Sequence, residues 1–193
     1  KKIYTSLIKI KPNFAEVYNN LANIYMEENN NDEAIYYFEK AISIKPDLPQ
    51  ANFNLSKIYT LMGNNLQLSG NFEDAITSYK KAIESQPNNI DAHNNLGVVL
   101  NKIGKFDDSI SHYKIAIKIK PNFEQAYNNL AVSLVNEGSP EEANKMYNEA
   151  LKINPKKTQY AINANLILPI IPESNDEIKS WRNKYNSNID LLK

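Results

Sequence analysis

One asparagine recurs in register along this chain. Asn20, Asn54, Asn95 and Asn129 follow one another at intervals of 34, 41 and 34 residues. A carboxamide carries both donors and an acceptor, so a row of them can hold the backbone of an extended peptide with little regard for its side chains. Each such bond contributes only ~0.5–1.5 kcal/mol net, and affinity must come from several rungs together. Asn23 and Lys57 lie on the same side of their segments and complete the candidate partner-binding set. Catalytic chemistry has no comparable basis. The chain has no cysteine and two histidines. His93 falls at a packing position and His112 on an outer face, and both read as structural. The acidic pairs Glu73-Asp74, Asp107-Asp108 and Glu141-Glu142 suit helix N-termini, where negative charge is favoured. No Gly-rich phosphate loop, metal-ligand spacing or paired catalytic carboxylates occur. No catalytic residue, metal or cofactor is therefore assigned, and the chain as given is expected not to be an enzyme.

The elements that must position the asparagines repeat with them. Tyr18-Asn19-Asn20-Leu21-Ala22 opens one copy, His93-Asn94-Asn95-Leu96-Gly97 another and Tyr127-Asn128-Asn129-Leu130-Ala131 a third, and proline closes successive copies at 46, 87, 121 and 155. A fixed period of this length marks a helical repeat array, in which each unit packs only on its neighbours. In the first copy Tyr18, Leu21, Ala22 and Tyr25 follow the i, i+3, i+4, i+7 rule of an amphipathic helix, and Ala34, Phe38 and Ala41 mark a second helix that Pro46 ends. The units run 15–48, 49–89, 90–123 and 124–157. Residues 1–14 are a partial repeat, in which Tyr4, Leu7 and Ile8 take the places of Phe38, Ala41 and Ile42. The second unit carries seven extra residues, Asn64–Gly70. Seven residues are close to two helical turns, so the insert either lengthens the first helix or forms a surface loop; Gly63 and Gly70 at its ends favour the loop. Ser139-Pro140-Glu141-Glu142 reads as a capping box with proline at the first helical position. Beyond Pro155, residues 158–193 comprise a capping helix around Ala161, Ala164 and Leu168, a break at Pro169 and Pro172, and a last helix. Ser174-Asn175-Asp176-Glu177 would cap that helix, and Ile178, Trp181, Tyr185, Ile189 and Leu192 form its apolar side.

Composition narrows the partners. Lys plus Arg and Asp plus Glu both number 22, which does not favour a nucleic-acid or polybasic membrane footprint. No apolar run reaches membrane-spanning length, and the expected location is cytoplasmic. The loop asparagines, such as Asn29-Asn30-Asn31, read as compositional bias.

The order large–Leu–small–large, then Ala–aromatic–Ala, then Pro, resembles the tetratricopeptide repeat. The resemblance implies an all-α fold, a right-handed superhelical solenoid of helix-turn-helix repeats with a C-terminal capping helix. It places Asn20, Asn54, Asn95 and Asn129 on a concave surface, with rungs roughly 10 Å apart, the spacing of packed helices. The binding partner is then a protein or an extended peptide. A Lys/Arg/Asn clamp for acidic C-termini is not expected, because the corresponding places hold Asn19, Asn23, Asn54, Asp91 and Asn95. The asparagine row, the YNNLA and HNNLG openings and the tail LILPIIPESNDEIKSWRNKYNSNIDLL resemble the repeat arm of O-linked N-acetylglucosamine transferases and their SPINDLY-like relatives. That resemblance implies substrate recruitment for a C-terminal catalytic domain outside this sequence. The alternative is a free-standing adaptor that assembles a complex. Changing Asn54, Asn95 and Asn129 together to Ala is expected to weaken peptide binding without altering the melting temperature.

Overall fold

The computed structural model describes residues 1–166 and, beyond them, only Asp176, Lys179, Ser180 and Asn183. The capping box at Ser174, the Trp181 stripe and the Leu168–Pro172 break lie outside the described residues. Among those described, ten helices and no strands occur: α1 (Lys2–Ile10), α2 (Ala15–Glu27), α3 (Asn31–Ile44), α4 (Pro49–Leu68), α5 (Phe72–Ser85), α6 (Ile90–Lys102), α7 (Phe106–Ile119), α8 (Glu124–Glu137), α9 (Pro140–Ile153) and α10 (Thr158–Leu166). Residues 1–92 form one compact unit and residues from 93 onward a second.

Short turns fold consecutive helices into hairpins. Each hairpin turns at the same repeat position, held by Asn29, Gly70, Gly104 and Gly138, and all four have positive φ, between 59° and 99°. Only glycine and, at modest cost, asparagine adopt this conformation readily. Two loop asparagines are therefore structural rather than compositional in a second sense as well. Asn30 and Asn71 cap α3 and α5, and each accepts a backbone N–H, from Glu33 and Asp74 respectively. Ser139 is the cap residue of α9 and Pro140 its first residue, but the serine side chain makes no capping bond. The capping box expected there supplies its proline and its acidic first turn only.

In the N-terminal unit the core runs through Ala22, Ala34, Phe38, Leu55, Ile58 and Tyr59. In the C-terminal unit Tyr113, Leu130, Ala131, Leu134, Ala143 and Tyr147 fill the same role. Alanine and serine at the close approaches let the helix backbones draw together, and the aromatic rings fill the space beside them. Helix α10 packs on α9 and buries Ala164 there.

The insert corrects one expectation. Residues 64–68 are not a loop; they continue α4, which is 20 residues long. Counted forward from Pro46, Gly63 stands where the other repeats turn. Counted back from Ala75, it stands where Gly97 stands in the next repeat. The backward count wins because of Tyr79. A Cβ on Gly63 would lie 2.6 Å from the Tyr79 ring, and one on Gly97 would lie 2.7 Å from the Tyr113 ring. Each glycine is the seat of a fully buried tyrosine. The lengthened helix also supplies Asn64 and Gln67, whose oxygens accept the Tyr79 hydroxyl at 2.8 and 3.0 Å. Seven residues turn the helix by nearly two full circles, so α4 keeps one buried face along its length.

Burial of these rings sets an alkaline limit. Desolvation raises the phenols of Tyr59 and Tyr113 and pushes Tyr79 up to about 12. Between the ordinary tyrosine value of about 10 and these raised values the unfolded chain loses protons that the folded chain keeps. The tyrosine contribution to stability is thus complete below pH 10 and declines as pH rises from 10 to 12. Melting temperatures measured across that range should fall steadily, and Tyr79→Phe should flatten part of the slope.

Candidate functional site

The candidate residues fall in two settings. In the N-terminal unit Asn20 is exposed on α2, Asn23 is half-buried one turn further along, and Lys57 is exposed on α4. Asn54 is only 6% exposed. Its Nδ2 donates to Asn23 Oδ1 at 2.7 Å, and its own Oδ1 accepts from Gln50 Nε2 at 3.2 Å. The Gln50–Asn54–Asn23 chain therefore ties the first helix of one repeat to that of the next. The unchanged melting temperature expected of the triple variant needs revising, because the Asn54→Ala component removes both bonds from a buried group and lowers stability. Beside this chain, Asn19 Oδ1 is buried without a hydrogen-bond partner.

In the C-terminal unit Asn95 and Asn129 are half-buried, and the structure joins them through residues that pattern reasoning did not single out. Asn163 donates to Asn128 at 3.4 Å, Asn128 to Asn129 at 3.3 Å, Asn129 to Asn94 at 3.1 Å, and Asn94 to Asn95 at 3.1 Å. The result is a unidirectional relay of carboxamides crossing α10, α8 and α6. Asn94, Asn128 and Asn129 each use one N–H and one acceptor site on the relay. A carboxamide has two N–H groups and two lone pairs on its oxygen, so each of the three has capacity for one further donor and one further acceptor. The relay orients the side chains before any ligand arrives, which lowers the rotamer entropy lost on binding. The sequence signal was the Asn-Asn doublet itself, present at 94–95 and 128–129; a single residue per repeat was drawn from it where the fold uses both.

The two histidines meet. Nδ1 of His93 and Nδ1 of His112 lie 3.0 Å apart, with ring centroids at 5.3 Å. His93 is buried as expected, whereas His112 is half-buried against it rather than on an outer face. The second unit also holds a buried hydroxyl pair. Ser109 and Ser133 Oγ atoms are 2.6 Å apart, and Asn101 donates to Ser133. No group of three or more His, Cys, Asp or Glu side chains suited to a metal ion occurs among the described residues. No helix among them is long and apolar enough to cross a membrane.

The repeat length and the all-helical hairpins point to one family of repeats. Profiles described as tetratricopeptide repeat match residues 15–48, 90–123 and 124–157, and one described as TPR repeat matches residues 63–104. The chain is a tetratricopeptide repeat protein. The last of those matches starts at Gly63, the residue at which the lengthened helix resumes repeat register. No curated protein sequence matches the chain. Among solved structures the tetratricopeptide repeat chain is similar to YrrB, described as a TPR protein with an unusual peptide-binding site, at 20% identity and a TM-score of 0.64, over 98% of this chain and 90% of that one. It is similar to MamA at 27% identity and a TM-score of 0.52, over 81% and 88% of the two chains. It is also similar to the first TPR of Spaghetti (RPAP3) bound to the HSP90 peptide SRMEEVD, at 18% identity and a TM-score of 0.53, over 70% and 94%. These likenesses place the fold as a helical solenoid of tetratricopeptide repeats.

Proposed function

We propose that this protein is a scaffold that binds an extended protein segment along its asparagine-lined helices. The observation that carries the reading is the relay from Asn163 to Asn95, a row of pre-oriented carboxamides in which the half-buried Asn128 and Asn129 keep a spare donor and acceptor each. Asn20 and Asn54 are the candidate backbone-holding rungs of the N-terminal unit, with Asn23 and Lys57 beside them, and Asn95 and Asn129 are those of the C-terminal unit. YrrB and the Spaghetti domain have similar folds, the first described with an unusual peptide-binding site and the second bound to a peptide. The finer reading is a substrate-recruiting arm of a protein O-glycosyltransferase, supported by the Asn doublets and the tail motif. Release of nucleoside diphosphate from nucleotide-sugar donors by the natural full-length protein separates that reading from an adaptor. Turnover that requires a polypeptide acceptor supports the arm; no turnover with any donor leaves the adaptor. The binding reading itself is tested by titrating extended peptides against the wild type and the Asn54/Asn95/Asn129 triple alanine variant.

A further inference from the structure

The lengthened helix α4 creates a feature that the repeat pattern does not supply. Phe53, Lys57 and Leu61 sit one turn apart on its exposed side, and Phe53 and Leu61 are 50% and 52% exposed. Large apolar side chains on a helix surface are normally scattered; here two of them flank a single cation. They form one wall of a cavity of about 420 Å³ that Asn64 extends and that Asn89 and Asp91 close. Its floor is fixed. Asn89 Nδ2 donates to Ser56 Oγ at 2.7 Å and to Thr60 Oγ1 at 3.0 Å, while its Oδ1 accepts the Ala92 N–H at 2.9 Å.

We infer that this cavity is a side-chain pocket that selects, within a bound peptide, a large apolar residue with an acidic residue within two positions of it. The choice of charge follows from the two ionised groups on its wall. Asp91 lies in the first turn of α6, where the helix N-terminus already compensates it. Lys57 lies in the middle of α4, has no ion pair among the described residues, and gains nothing from a helix end. A ligand that covers Phe53 and Leu61 also removes water from the Lys57 ammonium, and a buried cation requires a partner. A carboxylate on the ligand provides it. In an extended chain, side chains two residues apart point to the same side, ~7 Å apart. Side chains one turn apart on a helix are ~6 Å apart. An apolar side chain resting on Phe53 or Leu61 thus brings a carboxylate two residues away to Lys57.

The inference rests on the peptide-binding reading above, and one selection separates the two. A phage-displayed library of random dodecapeptides is panned on the 193-residue chain and on its Lys57→Glu variant. Circular dichroism confirms that the variant is folded, as an exposed mid-helix substitution should be. The expected wild-type winners are enriched in apolar residues with Asp or Glu within two positions. Synthetic winners should bind the Lys57→Glu variant roughly tenfold more weakly, and its own winners should exchange the acid for Lys or Arg. Wild-type winners without that pairing, winners pairing apolar with basic residues, or a preference indifferent to Lys57→Glu would overturn the pocket while leaving peptide binding in place. Recovery of no peptide by either chain would overturn both.

Discussion

Tyr79→Ala should cost the N-terminal unit about 3–5 kcal/mol, the range for removing a large buried aromatic side chain. Tyr79 has no exposed surface, its ring fills the notch that Gly63 leaves, and its hydroxyl is held by Asn64 and Gln67. The loss combines the transfer energy of the ring, the cavity left between α4 and α5, and the hydroxyl bonds to Asn64 and Gln67. Urea denaturation followed by circular dichroism measures it, and a loss below about 1 kcal/mol would show that the α4–α5 hairpin is not built on this contact. Two companion variants divide the effect. Tyr79→Phe keeps the ring and should cost only about 1 kcal/mol, the net worth of the hydroxyl bonds. Gly63→Ala forces a methyl group into a rigid ring. Overpacking of that kind costs about 1–3 kcal/mol, against a helix-propensity gain near 1 kcal/mol, so the variant should be destabilised despite its better helix former.

Changing Asn54, Asn95 and Asn129 together to alanine should weaken binding of an extended peptide by roughly 10- to 2,000-fold, three net hydrogen bonds at ~0.5–1.5 kcal/mol each. Isothermal titration with a peptide of known affinity for the wild type gives the ratio directly. Asn54 contributes in a second way, because its loss breaks the buried Gln50–Asn54–Asn23 chain. The Asn95/Asn129 double variant avoids that complication and should retain most of the effect with less cost to the melting temperature. A double variant that binds as tightly as the wild type would remove the asparagine row from the binding surface. Asn128→Ala offers a finer test. It cuts the relay between Asn163 and Asn129, and it should weaken binding both by releasing Asn129 from its fixed orientation and by removing the spare donor and acceptor of Asn128.

Fold class was legible because the repeat states the same packing solution several times. Leu21, Leu96 and Leu130, all but fully buried, are one position seen in three copies, and so are Ala41, Ala82, Ala116 and Ala150 in four. Where a residue has two admissible roles, periodicity alone does not choose. Gly63 satisfies both a turn position and a close-approach position, and only the fully buried Tyr79 ring decides between them. The candidate site was legible at the level of residue type and face. Its connections were not, since hydrogen bonds such as Asn129 to Asn94 join residues 35 apart and depend on how far the helices rise past one another. The meeting of His93 and His112 is of the same kind: they belong to different helices of one hairpin, and their approach depends on its interhelical register.

The double role of Gly63 has a consequence for the folding landscape. The sequence encodes two alternative α4–α5 pairings offset by seven residues. In the native one Gly63 receives the tyrosine ring and Gly70 makes the turn. In the other, Ser56 would face the ring, Gly63 would make the turn, and residues 64–70 would be extruded. Both bury the same face of α4, because the offset nearly completes two helical turns, so hydrophobic patterning does not penalise the slipped pairing. What separates them is local: Ser56 would set a Cβ where Gly63 leaves room for the Tyr79 ring, and the native register adds the Tyr79 hydroxyl bonds to Asn64 and Gln67 and the Ser56 hydroxyl donation to the Ala82 carbonyl at 2.7 Å. This hairpin is consequently a point of frustration, a place where early collapse can settle two turns out of step and must unzip before the native register forms.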